Sequence, residues 1–407
     1  MTARQLAIQV VERLQSAGFQ SLWAGGCVRD NLLKIEPKDF DVATSANPDE
    51  VQQLFGVKKT LAIGKSFGVI TVIGPKSAGN IEVATFRRDG GYSDGRHPDS
   101  VEFTDAKEDA IRRDFTINGM FFDPIAEEVI DYVGGQEDLQ RKIIRAIGVA
   151  NQRIEEDRLR MLRGVRFAAT YEFAIEPATM RAIQMRAQDI EAVSPERIGS
   201  ELRRMLGHRG KARALRLLVE SGLWEQVLPG DRLGDFDWLT KIKLLENLDA
   251  GFSTTLAALL YGTGVNAENF QDPWRLKNEE VARANWLLAN IDLLSAADTM
   301  AWSELQPRLM SGHASCAVQL LHGLIESGLC SNSALAKSSL ELCRQKLQLA
   351  DGVLDPPPLL RGDDLMELGI VPGPQFKLIL SQTRALQLDG KLTSQEQARQ
   401  WVVRDFK

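Results

Sequence analysis

The stretch Gly25-Gly26-Cys27-Val28-Arg29-Asp30, followed closely by Lys38-Asp39-Phe40-Asp41, is the most informative part of this 407-residue chain. A glycine pair lets the backbone approach a bulky anion because no Cβ stands in the way. Carboxylates at i and i+2 of a strand point to one face and can share a metal ion. A phosphate cradle beside an all-oxygen metal site is what nucleotidyl transfer requires. On this reading Asp39 and Asp41 hold two Mg²⁺, one lowering the pKa of an attacking hydroxyl and one neutralising a leaving pyrophosphate. Asp235-Phe236-Asp237 repeats the tripeptide without a glycine pair or an apolar strand pattern, and reads as a polar turn.

Length and a charged fraction of 26% predict two to four domains. No apolar run approaches the roughly 18 residues that span a bilayer. The N-terminus enters an amphipathic pattern instead of a signal-peptide core. Cys27, Cys316, Cys330 and Cys343 show no CxxC pairing and no nearby histidine cluster, which argues against zinc or a disulfide framework and for a reducing cytoplasm. The formal net charge of −6 conceals an asymmetry. Residues 141–216 carry 17 Lys/Arg against 9 Asp/Glu, a local +8, so the remainder carries −14. A basic segment is the electrostatic footprint of a phosphate backbone; a helical surface laced with salt bridges is the bland alternative.

Periodicity predicts an amphipathic helix over 6–17, strands over 21–24, 40–44, 69–74, 81–86 and 101–104, and helices over 28–33 and 48–55. Asn47 caps the last of these helices, and Pro48 occupies its first position. After Arg145 the strand signals nearly stop. Asp355-Pro356-Pro357-Pro358 reads as a linker, Gly369 as the end of a short helix and Pro372-Gly373-Pro374 as the start of another.

Further residues carry chemistry. Glu82, inside the apolar run Ile81-Glu82-Val83, either faces solvent or joins the metal site, because burying a lone carboxylate is costly. Arg112 and Arg113 offer guanidinium forks for triphosphate oxygens, and Asp114 or Asn118 suits ribose hydroxyls; the same groups could instead cap a helix C-terminus. In Glu156-Asp157-Arg158-Leu159-Arg160 and the residues beyond, a helix would bring Asp157, Arg160, Arg163 and Arg166 into one polar stripe, with Leu162, Val165 and Ala169 on an adjoining apolar one. Taken alone, that stripe is a ladder of i,i+3 salt bridges. Base chemistry gives it a sharper meaning. Cytosine and adenine both present an amino donor next to a ring-nitrogen acceptor, whereas uracil and guanine present the reverse. A fixed carboxylate (Asp157) beside a fixed guanidinium (Arg160) matches the first pair and mismatches the second. Two unpaired polar groups at roughly 1–3 kcal/mol each could discriminate about a hundredfold.

Several ordered segments resemble the class II tRNA nucleotidyltransferase and bacterial poly(A) polymerase family, most closely its CCA-adding members. They are the Gly25 to Asp41 segment, Ile81 to Arg87, Arg112 to Gly119, Asp131-Tyr132-Val133-Gly134-Gly135, Glu156 to Arg160 and Ser194 to Ile198, together with a tail motif around Leu368 to Pro374. The resemblance implies an α+β fold: a polymerase-β-like nucleotidyltransferase head (1–140), then an all-α neck (141–216), body (217–354) and tail (355–407). It implies that Gly26 and Arg29 contact the triphosphate of CTP or ATP, Arg113 binds the incoming nucleotide with Asp114 near its ribose, and Arg163 and Arg166 lie close by. Neck and tail would hold the acceptor stem and elbow of tRNA. The loop over 87–98 looks full length, unlike that of CC-adding relatives. Residues 63–68 lack the basic run found in poly(A) polymerases. CC-only, A-only and poly(A) addition are the alternatives within the class, and a non-catalytic RNA-binding protein is the alternative outside it. Arg158 stands where relatives often have proline, which puts the start of the reading helix in question.

Overall fold

In the computed structural model, residues 1–90, 100–228 and 237–406 are described. The chain divides into two compact units, one comprising Met1–Met205 with Arg213–Leu228, the other Leu206–Ala212 with Pro229–Lys407.

The first unit is built on a seven-stranded sheet. Its elements begin with α1 (Ala3–Ser16), β1 (Ser21–Ala24), α2 (Gly26–Leu32), β2 (Asp41–Thr44) and α3 (Pro48–Phe55). They continue with β3 (Thr60–Leu61), β4 (Val69–Ile73), β5 (Asn80–Thr85), the hairpin β6 (Arg87–Asp89) and β7 (Val101–Phe103), α4 (Ala106–Ile111), and β8 (Phe121–Asp123) with β9 (Glu128–Ile130). Strand order is β3-β4-β5-β2-β1-β8-β9. Among the described residues of this sheet only the β2–β5 pair is parallel, in a register that sets Asp41 opposite Glu82, while β1 pairs antiparallel to β2 with Ala24 opposite Asp41. Side chains alternate across a strand, so Asp41 shares a face with Ala43. On that face Leu22, Ala24, Ala43, Phe86 and Phe121 form a core with Ala106 and Ala110 of α4. The opposite face buries Trp23, Val42, Ile81 and Val83, with α1 packed along β1, β2 and β5.

The strands fall within about a residue of their expected limits; β2 starts at Asp41, so Asp39 lies two residues before the strand and not on it. The β8–β9 hairpin carries no sequence signal of its own: its strands have three residues each, and its turn is fixed by Asp123 Oδ1 accepting from the Ile125 and Ala126 amides. The loop expected over 87–98 is described only up to residue 90, where β6 has already paired with β7; residues 91–98 lie outside the described residues.

Beyond the sheet come α5 (Gly135–Arg141), β10 (Ile143–Ile144), α6 (Ala150–Glu156), α7 (Arg160–Tyr171), β11 (Ala174–Ile175) paired to β10, α8 (Pro177–Arg186), α9 (Pro195–Leu206), α10 (Lys211–Glu220) and α11 (Leu223–Val227). One sequence expectation is corrected here. Asp157 is not on the helix with Arg160, Arg163 and Arg166: α6 stops at Glu156, Asp157 is extended (φ −144°, ψ 103°), and α7 starts at Arg160. The apolar stripe is as expected, with Leu162, Val165 and Ala169 all buried.

In its described residues the second unit is entirely helical, from α12 (Trp238–Glu246) through α13 (Phe252–Leu260), α14 (Asn278–Ser295), α15 (Trp302–Leu309), α16 (Ala314–Ser327), α17 (Ser333–Leu347), α18 (Asp351–Leu354), α19 (Gly362–Glu367), α20 (Pro374–Leu388) and α21 (Gln395–Phe406). Asp237 caps α12 through the Leu239 and Thr240 amides; Asp235 and Phe236 lie outside the described residues. Leu365, Ile370, Ile379, Leu392, Ala398 and Val402 form a core among the last three helices. No helix among the described residues is long and apolar enough to cross a membrane.

Asn47 caps α3 as expected: its Oδ1 accepts from the Asp49 and Glu50 amides at 3.0 Å, and Glu50 reaches back to the Asn47 amide. Asn47→Ala should therefore cost about 1 kcal/mol, read as a lower urea midpoint with an unchanged slope.

Candidate functional site: an arginine-lined nucleotide cavity

A cavity of about 490 Å³ opens in the first unit, lined by Gly25, Gly26, Arg29, Asp41, Arg87, Asp89, Arg112, Arg113, Asp114, Asn118, Asp157, Arg160, Arg163, Arg166 and Phe167. Seven arginines face four aspartates there, the balance a polyanion needs. A larger cavity of about 1,050 Å³ in the second unit offers Lys241 against Asp237, Glu268 and Asp292, the wrong sign for a triphosphate.

Ten of the twelve residues expected at the site line this one cavity; Asp39 and Glu82 do not. Gly25 precedes α2 with φ +73° and ψ −126°, and a Cβ there would stand 2.9 Å from Arg113 Nη1. Glycine suits that position by its conformation, and a Cβ would also displace the Arg113 guanidinium. Gly26 then opens α2, whose fourth residue is Arg29.

The cavity arginines are held by acidic partners, some of them shared. Arg112 and Arg113, which follow α4, both reach back to Asp109, itself only 1% exposed. Arg112 also meets Asp89 at 3.4 Å, and Asp89 pairs with Arg87, so three guanidiniums stand against two carboxylates here. Burial pushes Asp109 up, but the Arg113 and Arg112 guanidiniums and their hydrogen bonds prevail and hold it below the usual range. Arg113 also lies over the Phe121 ring at 5.1 Å. Arg160 donates to the Arg153 carbonyl and Glu156, and to the Arg112 carbonyl at 3.2 Å. Arg166 pairs with Glu201. Asp157 accepts from the Leu159 amide and from Arg197 of α9 at 2.8 Å. The i,i+3 ladder is thus not what holds the stripe: Arg163 and Arg166 find partners on other elements.

Asp114 and Asn118 are both buried. Asp114, 8% exposed, accepts from the Phe115 amide and from Asn118 on one oxygen, and from Arg163 at 2.8 and 2.5 Å on the other. Burial alone would raise this carboxyl, but Arg163, Asn118 and the Phe115 amide together hold it at about 2. Asn118 Oδ1 in turn accepts from Arg29 at 2.6 Å. Phe167 was not expected: its ring lies 4.1 to 5.4 Å from the Arg166, Arg29 and Arg163 guanidiniums. The sequence signal that could have found it is the spacing Arg163, Phe167, Tyr171 along one helix.

At the cavity edge Asp41 is exposed, with Glu82 its cross-strand neighbour, also exposed. Crowding by protein, then the Glu82 charge, pushes Asp41 up to about 6 against the pull of Arg113, and Asp39 adds to the rise. Among the described residues no three Asp, Glu, His or Cys side chains converge on a metal position. Mg²⁺ is bound by one or two carboxylates completed by substrate phosphates and water, so mutually repelling acids at the mouth of a phosphate-sized cavity fit a cation carried in with its nucleotide.

Fold and cavity define a nucleotidyltransferase of the poly(A) polymerase head type. The family model described as "Poly A polymerase head domain" matches residues 22–145, and "Probable RNA and SrmB- binding site of polymerase A" matches 172–231. The chain is 31% identical over 403 residues to a CCA-adding enzyme of Lactobacillus delbrueckii, covering 98% of this chain and 96% of that one, and 33% identical to one of Lactococcus lactis, covering 91% and 89%. A Bacillus stearothermophilus CCA-adding enzyme solved in complex with CTP superposes with a TM-score of 0.77 at 28% identity, over 99% of this chain and 98% of that one. A Thermotoga maritima CCA-adding enzyme complexed with tRNA shares the fold at 20% identity, with a TM-score of 0.71 over 99% and 95%. The chain belongs to the family of CCA-adding enzymes, and with that membership goes divalent-metal chemistry.

The pKa of Asp114 has a consequence for stability. Its folded value is depressed, so its contribution is complete above about pH 4 and is lost as pH falls through about 2. Asp114→Asn should cost about 2 kcal/mol at pH 7, and in urea unfolding the gap from the parent should close as pH drops from 4 towards 2.

Proposed function

We propose that this chain is a CCA tRNA nucleotidyltransferase, which completes the 3′ end of tRNA in the cytoplasm by adding C, C and A from CTP and ATP, with Mg²⁺ as cofactor and no nucleic-acid template. The observation that carries this reading is a single cavity in which the anion-binding arginines, the Asp41 carboxylate and a fixed carboxylate–guanidinium pair meet, in a chain related to CCA-adding enzymes over nearly its whole length.

Asp39 and Asp41 would hold the metal, with Glu82 shaping the charge beside them; when bound, it would supply Lewis-acid chemistry for the tRNA 3′ hydroxyl and charge neutralisation for pyrophosphate. The remaining steps belong to the chain's own groups. The Gly25-Gly26 turn lets backbone approach the triphosphate, while Arg29 and Arg113 bind its oxygens and Arg163 and Arg166 add to the positive wall. Asp114 and Asn118 line the ribose end. Asp157 and Arg160 read the base edge. Each is fixed before the nucleotide arrives, Asp157 by Arg197 and the Leu159 amide, Arg160 by Glu156 and two carbonyls. Such preorganisation turns two side chains into a usable template. The basic neck (141–216), through its local +8, and the tail (355–407) hold the tRNA.

Transcripts of tRNA lacking the last three nucleotides should incorporate label from CTP and from ATP; label from neither ends this proposal, and label from one alone, or unrelated RNA extended with ATP, replaces it with partial or poly(A) addition. Asp39→Ala with Asp41→Ala should lower incorporation by about a thousandfold or more at unchanged folding, since several kcal/mol of transition-state stabilisation go with the metal. Asp157→Ala with Arg160→Ala should erase discrimination against UTP and GTP, on the order of a hundredfold; undiminished rejection of UTP would remove these residues from base selection.

A further inference from the structure

The side chains behind the cavity form a hydrogen-bonded chain that begins and ends on α7. Arg163 donates to Asp114, Asn118 donates to the same carboxylate, and Arg29 donates to Asn118. Arg29 Nε also donates to Asp30 Oδ1 at 2.9 Å, and the Tyr171 hydroxyl donates to that same oxygen at 2.9 Å. Arg163, Phe167 and Tyr171 are spaced at i, i+4 and i+8, one face of one helix. The Phe167 and Tyr171 rings stack with centroids 6.4 Å apart. The Arg29 guanidinium lies over both, 4.5 Å from the Tyr171 centroid and 5.3 Å from that of Phe167. Arg29 is 6% exposed, yet it lines the cavity. Burial pushes the Tyr171 phenol up to about 12, so it remains a proton donor at neutral pH.

We propose that Tyr171 is a positioning residue for Arg29: its ring fixes the plane of the guanidinium, and its hydroxyl holds Asp30 against the Nε edge so that the arginine serves the triphosphate. The inference rests on the reading of this cavity as the nucleotide site. A carboxylate free to turn prefers to take an arginine fork with both oxygens. Here Nε and Nη2 both meet the single oxygen Oδ1, the atom that Tyr171 also holds. Without the hydroxyl, Asp30 can swing into the fork and compete with phosphate. Without the ring, the guanidinium loses its platform and gains rotamers that binding must then freeze. Either loss falls on the triphosphate, which CTP and ATP share, and leaves the base-reading pair untouched.

The test compares Tyr171→Leu and Tyr171→Phe with the parent in steady-state incorporation of CTP and of ATP into tRNA, and in calorimetric binding of CTP and of inorganic tripolyphosphate. Tyr171→Leu should raise KM for both nucleotides and Kd for tripolyphosphate by a common factor of about ten, with kcat and the rejection of UTP unchanged. Tyr171→Phe, which keeps the ring, should shift the same quantities in the same direction by less. The proposal is overturned by unchanged KM and Kd in folded Tyr171→Leu, by a shift confined to one nucleotide, or by a fall in kcat alone. If Tyr171→Leu does not fold, unchanged tripolyphosphate binding in Tyr171→Phe overturns it by itself. A parent protein that binds tripolyphosphate, and weakens in the variants as expected, but extends no tRNA would refute the functional reading while leaving the role of Tyr171 intact.

Discussion

Asp114 is a carboxylate with 8% of its surface in solvent, and a charge so placed must be compensated or neutralised. Its compensation organises the centre of the first unit. One oxygen takes the Arg163 fork from α7, and the other takes Asn118 and the Phe115 amide. Because Asn118 spends its amide nitrogen on Asp114, its carbonyl oxygen is turned outward to Arg29, the residue that α2 presents after the glycine turn. One buried charge thus sets the orientation of an amide and then of a guanidinium. The strand register completes the arrangement: with Ala24 opposite Asp41, the end of β1 delivers the glycine turn beside the aspartate that opens the adjacent strand.

The sequence revealed those features whose cause is local. The strands of the sheet alternate or are continuously apolar, and Asn47-Pro48 marks a helix start through bonds within three residues. The Gly25-Gly26 pair and Asp41 were legible because their chemistry depends on residue type and short spacing. The β8–β9 hairpin was not, because three residues give too few alternations to show a period. The partners of the cavity arginines were hidden for another reason: Asp114 lies 49 residues from Arg163, Glu201 35 from Arg166, and Arg197 40 from Asp157. No spacing rule spans such distances. Asp157 shows the opposite error. Its three-residue step from Arg160 fits a helix, but a period of polar residues cannot see the backbone break after Glu156.

That break has a physical use. On one continuous helix, Asp157 and Arg160 would be neighbours on a single turn and would satisfy each other as an i,i+3 pair. With Asp157 in extended chain, the carboxylate turns to Arg197 and the guanidinium to Glu156 and two carbonyls. The two groups share a cavity without neutralising one another. A pair of side chains can stand in for a complementary base only under that condition, because groups already bonded to each other would have to part before meeting a base edge. Their anchors also lie on separate elements, α9 for the aspartate and α6 for the arginine, so the geometry of the two groups depends on how these helices pack. On the proposed reading, selectivity would be a property of helix packing as much as of the two residues that would touch the base, and Arg197 and Glu156 would belong to the template as fully as the groups they hold.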